Sequence, residues 1–130
     1  MLPDRIYAMR SVFHLLPDQS ALASLYSFEY NNRMLIETTE PFDNWLDGLK
    51  DRMTRIRLAR RLDKASRGNL GDVKPVGEGV FEMREFFGPG WRMYYVQRGD
   101  VLIIMLGGGD KSSQQADIAS AIALSKTLPE

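Results

Sequence analysis

Residues 88–113 decide the fold, and they read GPGWRMYYVQRGDVLIIMLGGGDKSS. After the GPG turn, the stretch from Trp91 to Gln97 alternates as a strand does. Arg98-Gly99 is a predicted two-residue hairpin turn in which Gly99 takes a positive φ. Residues 101–106 are apolar on both faces, which predicts a central strand covered on both sides. The glycines at 107–109 are expected to end that strand.

The residues before this stretch add strands and helices. Val73–Val76 and Val80–Phe87 predict two further strands, so that four strands joined by tight turns form an antiparallel meander. Residues 35–39 read LIETT and predict another short strand. Pro41 suits the first turn of a helix, and apolar spacing up to Leu62 predicts one long helix or a pair with a break near Asp51.

The last element and the first residues set the domain limits. Ser112 and Gln115 predict a capping box for a final helix that runs to about Leu128. Helices beside a meander of strands predict an α+β domain over residues 34–130. Residues 1–33 are set apart as an N-terminal extension, either helical or the product of a mis-assigned start.

Composition excludes several classes of chemistry. The 130 residues contain no cysteine, which removes disulfides, thiolate metal sites and cysteine nucleophiles. The single histidine, His14, lies in the extension, so neither histidine catalysis nor a metal site is predicted, and no cofactor is expected. No apolar run approaches the ~18 residues of a membrane span, and no signal peptide is recognised. We therefore expect a cytoplasmic protein without a membrane partner.

Charge is balanced overall but uneven along the chain. The formal net charge is zero. Lys50 to Arg67 nevertheless holds eight basic residues and two acidic ones, and local clustering matters more than the total because salt screens distant charges. The segment is either a nucleic-acid contact or an ordinary solvated helix face.

Two groups of residues have the chemistry of an anion site. Strand alternation puts Arg84 near Arg92 or Tyr94 on one face, which we expect to be exposed. Guanidinium groups match phosphate oxygens and a tyrosine ring stacks on a base, although outward polar residues of a half-solvated sheet are the alternative. Lys111 follows the triglycine stretch at a helix N-terminus, where amides attract anions. Asp110 breaks the spacing of a P-loop, so nucleotide hydrolysis is not predicted.

Four blocks together resemble a known family. They read PFDNWL at 41–46, GNLGDVKPVGEGV at 68–80, GPGWRMYY at 88–95 and GGDKSSQ at 108–114. Their order and spacing over about 90 residues are similar to the phage-derived, HigB-like branch of the RelE/ParE toxins, the addiction-module killer proteins. The resemblance implies a RelE-like fold, with N-terminal helices on a small antiparallel sheet and a short C-terminal helix.

It also implies the toxin component of a type II toxin–antitoxin system. The activity implied is that of an mRNA interferase, an endoribonuclease that cleaves mRNA, commonly on the ribosome. In that reaction the ribose 2′-OH attacks the adjacent phosphate without a metal. The partner implied is an antitoxin, usually a helix-turn-helix protein encoded nearby, and operator DNA is bound only through it.

The resemblance assigns roles to particular residues of this chain. Arg92 clamps the phosphate, Arg84 supports it, Lys111 is the candidate general acid, and Asp110 orients that group or acts as base. The general base stays open between Asp110, Glu82 and Asp117. Residues expected to contact RNA are Lys74, Tyr94, Arg67 and Gln114.

Two other functions fit the same fold. One is a ParE-like toxin that binds DNA gyrase and cleaves no RNA. The other is a domain that only binds the antitoxin. For the ribonuclease, the neutral net charge predicts weak activity on free RNA and dependence on ribosomes, because no broad positive field steers RNA to the site.

Overall fold

A computed structural model describes residues 34–129 and shows five strands and three α-helices in that part of the chain. The predictions for residues 1–33 lie outside the described residues. The elements, in chain order, are β1 (Leu35–Thr38), α1 (Glu40–Asp47), α2 (Arg52–Ser66), β2 (Val73–Gly77), β3 (Val80–Arg84), β4 (Arg92–Arg98), β5 (Leu102–Gly109), a 3-10 turn (Lys111–Ser113) and α3 (Gln114–Ser125). The predicted α+β class is confirmed.

The strands form one sheet in the order β1-β5-β4-β3-β2. The four strands from β2 to β5 are the predicted antiparallel meander. The expectation of a purely antiparallel sheet is wrong, because β1 pairs parallel with β5, Leu35 opposite Leu102. The chain between β1 and β5 supplies the long connection that a parallel pair requires.

Two hydrophobic layers cover the two faces of the sheet. Met93, Tyr95 and Met105 pack against α1 and α2 on one face. Val96, Ile104 and Leu106 form the other layer, under Ala121 of α3. Because β5 has a layer on each face, its apolar run is continuous, and the prediction of a central covered strand is confirmed.

Side-chain caps fix where the helices begin. The Thr39 hydroxyl accepts a hydrogen bond from the Phe42 amide and starts α1, with Pro41 in the first turn. Asp51 caps α2 through the Thr54 amide, so the predicted break near Asp51 is confirmed. The capping box predicted at Ser112 and Gln115 is wrong: Asp110 caps the 3-10 turn, and α3 begins after Ser113 without a side-chain cap.

The glycine-rich segments differ from the sequence-based prediction at two places. Gly107, Gly108 and Gly109 continue β5 and pair with β4, so they do not end the strand. A Cβ on Gly109 would collide with the Asp117 carboxylate, so a side chain at this position would require Asp117 to move. The β4–β5 turn spans residues 99–101, one more than predicted, and Gly99 does take a positive φ of 62°.

Candidate functional site

Two cross-strand rows bring half of the predicted site residues, four of eight, to the α3 side of the sheet. Arg84 lies opposite Arg92, which lies opposite Gly109. Glu82 forms the next row, with Lys74 on one side and Tyr94 on the other. Directly opposed residues in antiparallel strands have Cβ atoms about 4.5–5.5 Å apart. The predicted neighbourhood of Arg84 and Arg92 is therefore present.

Arg92 is buried, which corrects the expectation that this face is exposed. Its side chain is only 8% accessible. One terminal guanidinium nitrogen donates to the carbonyls of Glu85, Gly90 and Trp91 at 3.2–3.3 Å. In this structure Arg92 fastens the loop between β3 and β4, and its predicted phosphate-clamping role stays a prediction.

Lys111, in the 3-10 turn after β5, lies close to the same loop. A Cβ built on Gly90 would lie 3.5 Å from the Lys111 Cβ and 3.6 Å from the Arg92 guanidinium. Gly90 has a φ of 84°, so glycine suits both the turn and this close approach. Lys111 is exposed. Arg92 and Lys111 thus approach the same turn, and Arg84 lies opposite Arg92 on the neighbouring strand. We call these three residues the cation cluster.

Arg84 is held by a carboxylate that the sequence analysis did not single out. Two of its guanidinium nitrogens donate to the two oxygens of Asp72, at 3.0 and 3.2 Å. These hydrogen bonds hold the pKa of Asp72 below its usual range and raise that of Arg84. Because the Arg84 side chain is still 32% accessible, an anion approaching from solvent can compete with Asp72 for it.

Glu82 links Arg92 to the start of α3. Its carboxylate is 1% accessible and lies 3.8 Å from Nε of Arg92. The Gln114 amide donates to both Glu82 oxygens, at 2.9 and 3.3 Å. Gln114 is therefore tied to the sheet in this structure, and its predicted contact with RNA stays a prediction. Gln114 thus holds the Glu82 carboxylate, which lies beside the buried arginine.

Asp110 is engaged in capping. Its Oδ1 accepts from the Ser112 amide at 2.8 Å and from the Ser112 hydroxyl at 2.5 Å. These bonds lower the pKa of Asp110. A carboxylate with a lowered pKa is a weaker base, so the geometry favours the orienting role over that of general base.

Tyr94 is fully buried, and the expectation that its ring is exposed for stacking is wrong. Its register is as predicted, but α3 and the second hydrophobic layer cover it. The hydroxyl has no hydrogen-bond partner among the described residues. Burial is the main cause that raises the pKa of this phenol, with Glu82 and Asp117 adding to the effect.

The two remaining RNA-contact predictions fall at different places. Lys74 is exposed on β2, opposite Glu82, and so lies at the edge of the same face. Arg67 follows α2 beyond Ser66, whose carbonyl accepts from Met34 next to the start of β1. Arg67 is therefore outside the cation cluster, on the side of the sheet that α2 covers.

Phe86 is a feature of the site that the sequence analysis missed. Its side chain is 74% exposed, and the Arg84 guanidinium carbon lies 5.8 Å from its ring centroid. The only signal in the sequence was the pair Phe86-Phe87 directly before a glycine turn, which does not reveal which of the two rings is buried. Phe87 is partly buried in the core beneath α2.

A cavity of about 220 Å³ lies beside the site, between α1, β5 and α3. Its walls are mainly apolar and include Trp45, Leu106 and Leu124, with Asp117 adding a carboxylate. Ligand pockets usually measure about 300–1,000 Å³. Any binding to the cation cluster therefore takes place on an open surface rather than in this cavity.

Neither a metal cluster nor a membrane-spanning helix is found in residues 34–129. No group of three or more His, Cys, Asp or Glu side chains there is placed to hold a metal ion. Within the same range no helix has both the length and the apolar character needed to cross a bilayer.

Comparison with known proteins identifies a relative in Haemophilus influenzae. An uncharacterized protein of that bacterium is 42% identical over 93 residues, which is 72% of this chain and 94% of the relative. The chain belongs to the same family as this protein. No family model matches the chain, and no significant match exists among solved structures. Sequence similarity thus shows the family, and it assigns no activity, because the relative is itself uncharacterized.

The geometry of the cation cluster indicates what kind of group this surface can bind. Two solvent-accessible cations, the half-buried Arg84 and the exposed Lys111, flank a loop that the buried Arg92 holds in place. Such an arrangement can bind one anionic group and stabilise added negative charge on it. Each arginine also has a nearby carboxylate, Asp72 or Glu82, so the local field is modest. Such a surface offers an anion direct contacts rather than long-range attraction.

Proposed function

We propose that the chain is a toxin of the RelE/ParE type, HigB-like branch, that cleaves mRNA on the ribosome without a metal. The observation that carries the proposal is the placement of three cations at one end of the sheet: Arg84 lies opposite Arg92, and Arg92 and Lys111 both approach Gly90. These residues come from β3, β4 and the turn after β5. Cations gathered at one end of a sheet suit a phosphodiester, because arginine and lysine form strong charge-assisted hydrogen bonds to phosphate oxygens.

The roles follow from accessibility. Arg84, half-buried and paired with Asp72, exchanges that carboxylate for a non-bridging phosphate oxygen of RNA. Lys111, exposed and without an ion pair to a described residue, contacts the same phosphate or protonates the leaving oxygen. Arg92 keeps its carbonyl contacts and holds the loop in shape.

The reaction needs positioning more than covalent chemistry. The 2′-OH attacks the adjacent phosphorus, and the bond to the 5′-oxygen of the next nucleotide breaks. Oriented reactants and fixed charges supply most of such a rate enhancement. Asp117, the one carboxylate of α3, is the proposed general base that takes the proton of the 2′-OH; its Oδ2 accepts from the Ser113 hydroxyl at 2.5 Å.

The proposed partners follow from the same assignment. The toxin acts in the cytoplasm, where ribosomes and mRNA are found. A neighbouring antitoxin, of the helix-turn-helix class, neutralises it and alone contacts operator DNA. With zero net charge, the toxin relies on the ribosome to present mRNA rather than on steering RNA from solution.

The test is cleavage of mRNA by the purified full-length chain with and without ribosomes, read by mapping transcript ends. Wild-type protein should give discrete ribosome-dependent ends. Arg84→Ala and Lys111→Ala should each lower cleavage at least tenfold while keeping the wild-type circular dichroism spectrum. Lys126→Ala, which removes an exposed charge near the end of α3, is the matched control.

Two outcomes contradict the proposal. If ribosome-bound mRNA stays intact in every condition, the chain is not an mRNA interferase. If DNA breaks accumulate in expressing cells while transcripts survive, the gyrase-binding alternative replaces it.

A further inference from the structure

The outward face of α2 carries a continuous row of cations. Arg57, Arg60 and Lys64 of α2 and Arg67, which directly follows the helix, are spaced by three, four and three residues. This spacing places them on one side of the helix. All four are exposed. At about 1.5 Å per residue the row is roughly 15 Å long. We call these four residues the α2 basic stripe.

Most of this charge is uncompensated. Arg67 pairs with Asp63 at 2.5 Å. Arg57, Arg60 and Lys64 make no ion pair with any described residue. In a chain with zero net charge, such a concentration of cations on one face is suited to a polyanion.

The stripe begins beside the loop between β3 and β4, which connects Arg84 to Arg92. The Arg57 guanidinium carbon lies 3.6 Å from the ring centroid of Phe87. One turn further, Arg61 donates to the Glu85 carboxylate at 2.5 Å and to the Arg84 carbonyl at 2.9 Å. These contacts fasten α2 to the loop, so the Arg57 end of the stripe lies beside the segment that joins Arg84 to Arg92.

An exposed aromatic ring marks the junction of the two. Phe86 is 74% exposed and lies beside Arg84. An exposed ring flanked by cations is the usual platform on which single-stranded nucleic acids stack their bases. An acidic polypeptide would match the charges but has few flat faces to cover the ring.

We propose that single-stranded RNA leaves the cation cluster along the α2 basic stripe, with one base stacked on Phe86. The inference rests on the proposed function for its substrate class and extends it with a backbone track and a stacking platform. Neither Phe86 nor the residues Arg57, Arg60 and Lys64 belong to the reacting group, so both features act on binding alone.

The test measures binding of a fluorescein-labelled 12-nucleotide single-stranded RNA to the full-length chain by anisotropy, over a range of salt. Each phosphate contact on a single strand adds about 0.7 to the salt slope. The variant R57A/R60A/K64A should lower the slope by about 2. When the salt concentration rises from 50 to 200 mM, the affinity of the wild type should then fall by a factor roughly 20 times larger than the factor for the variant. Lys126→Ala should leave the slope within half a unit.

A second probe separates stacking from charge. Phe86→Ala should weaken binding of the normal RNA about fivefold or more, the effect of losing one stacked base. It should not weaken binding of a 12-nucleotide RNA of equal charge that carries abasic residues throughout. Val101→Ala, which removes another exposed apolar side chain, should leave both affinities unchanged.

The results that overturn the inference are distinct from those that overturn the ribonuclease. If R57A/R60A/K64A has the same salt slope as the wild type, RNA does not follow the α2 basic stripe. The same conclusion holds if the wild-type protein binds no RNA at 50 mM salt. If Phe86→Ala weakens the binding of normal and abasic RNA equally, no base stacks on Phe86. If both binding results hold but ribosomal mRNA is never cut, the proposed function fails and the RNA-binding surface stands.

Discussion

Replacing Glu82 by alanine should destabilise the fold through the arginine that is left behind. Glu82 and Arg92 have side-chain accessibilities of 1% and 8%. Glu82 also accepts from Gln114, so its removal leaves a buried cation without a nearby carboxylate and an amide without its acceptor. Breaking one side of a buried ion pair costs about 3–5 kcal/mol.

The lower end of that range applies here. The pair is long, at 3.8 Å between Nε and Oε1, and Arg92 keeps three carbonyl acceptors. We therefore expect a loss of about 3 kcal/mol in the free energy of unfolding. With a urea slope of about 1–3 kcal/mol per molar, the midpoint should fall by about 1–3 M.

The assay is equilibrium urea unfolding followed by circular dichroism. E82A/R92M should be more stable than E82A alone, because the double variant buries no unpaired charge. Glu78→Ala is the control, since Glu78 pairs with Lys126 on the exposed surface and such pairs contribute about 0–1 kcal/mol. If E82A unfolds within about 0.5 kcal/mol of the wild type, as a surface change does, the buried pair does not stabilise the fold as argued.

Three further predictions concern single side chains. Gly109→Ala should lower the melting temperature by several degrees because its Cβ meets the Asp117 carboxylate, and G109A/D117A should recover part of the loss; an unchanged G109A would show that α3 yields freely. Tyr94→Phe should leave stability unchanged or raise it by about 1–3 kcal/mol, because the hydroxyl is buried without a partner among the described residues; a clear loss in urea unfolding would reveal a bond to this hydroxyl. Asp51 has a lowered pKa, first through its hydrogen bond from Thr54, so its contribution to stability is present above the usual Asp pKa of about 3.9 and disappears as pH falls through the lower folded value. Asp51→Asn keeps an uncharged cap and should flatten the acid limb of stability against pH; an identical limb in both proteins would exclude Asp51 as its source.

Strand alternation predicted which residues would be neighbours. A strand has a period of two, so the side of Arg84, Arg92 and Tyr94 could be assigned from sequence alone. Whether that side faces water could not, because α3 covers it and α3 lies 20 residues after Tyr94 in the chain. Burial of Arg92 and Tyr94 depends on that long-range packing.

The carboxylate partners of the two arginines could not be predicted from a local sequence pattern either. Asp72 lies in a turn and Glu82 in a strand, and only the fold shows that they meet Arg84 and Arg92. The glycines of β5 misled for a related reason. Glycine usually marks a turn, but Gly108 and Gly109 lie within β5. Glycine suits these two strand positions because Trp45 and Asp117 occupy the space that a larger side chain would need.

The parallel pairing of β1 with β5 has a consequence for the order of events during synthesis. Leu35 has no strand beside it until Leu102 has been made, 102 − 35 = 67 residues later. At about 5–20 residues per second a ribosome needs roughly 3–13 s for that interval. Throughout it β1 waits with its amides and carbonyls open to other chains. Growing polypeptide therefore has a vulnerable period that a chaperone or an early-binding partner can use, and it closes only when almost the whole domain has been translated.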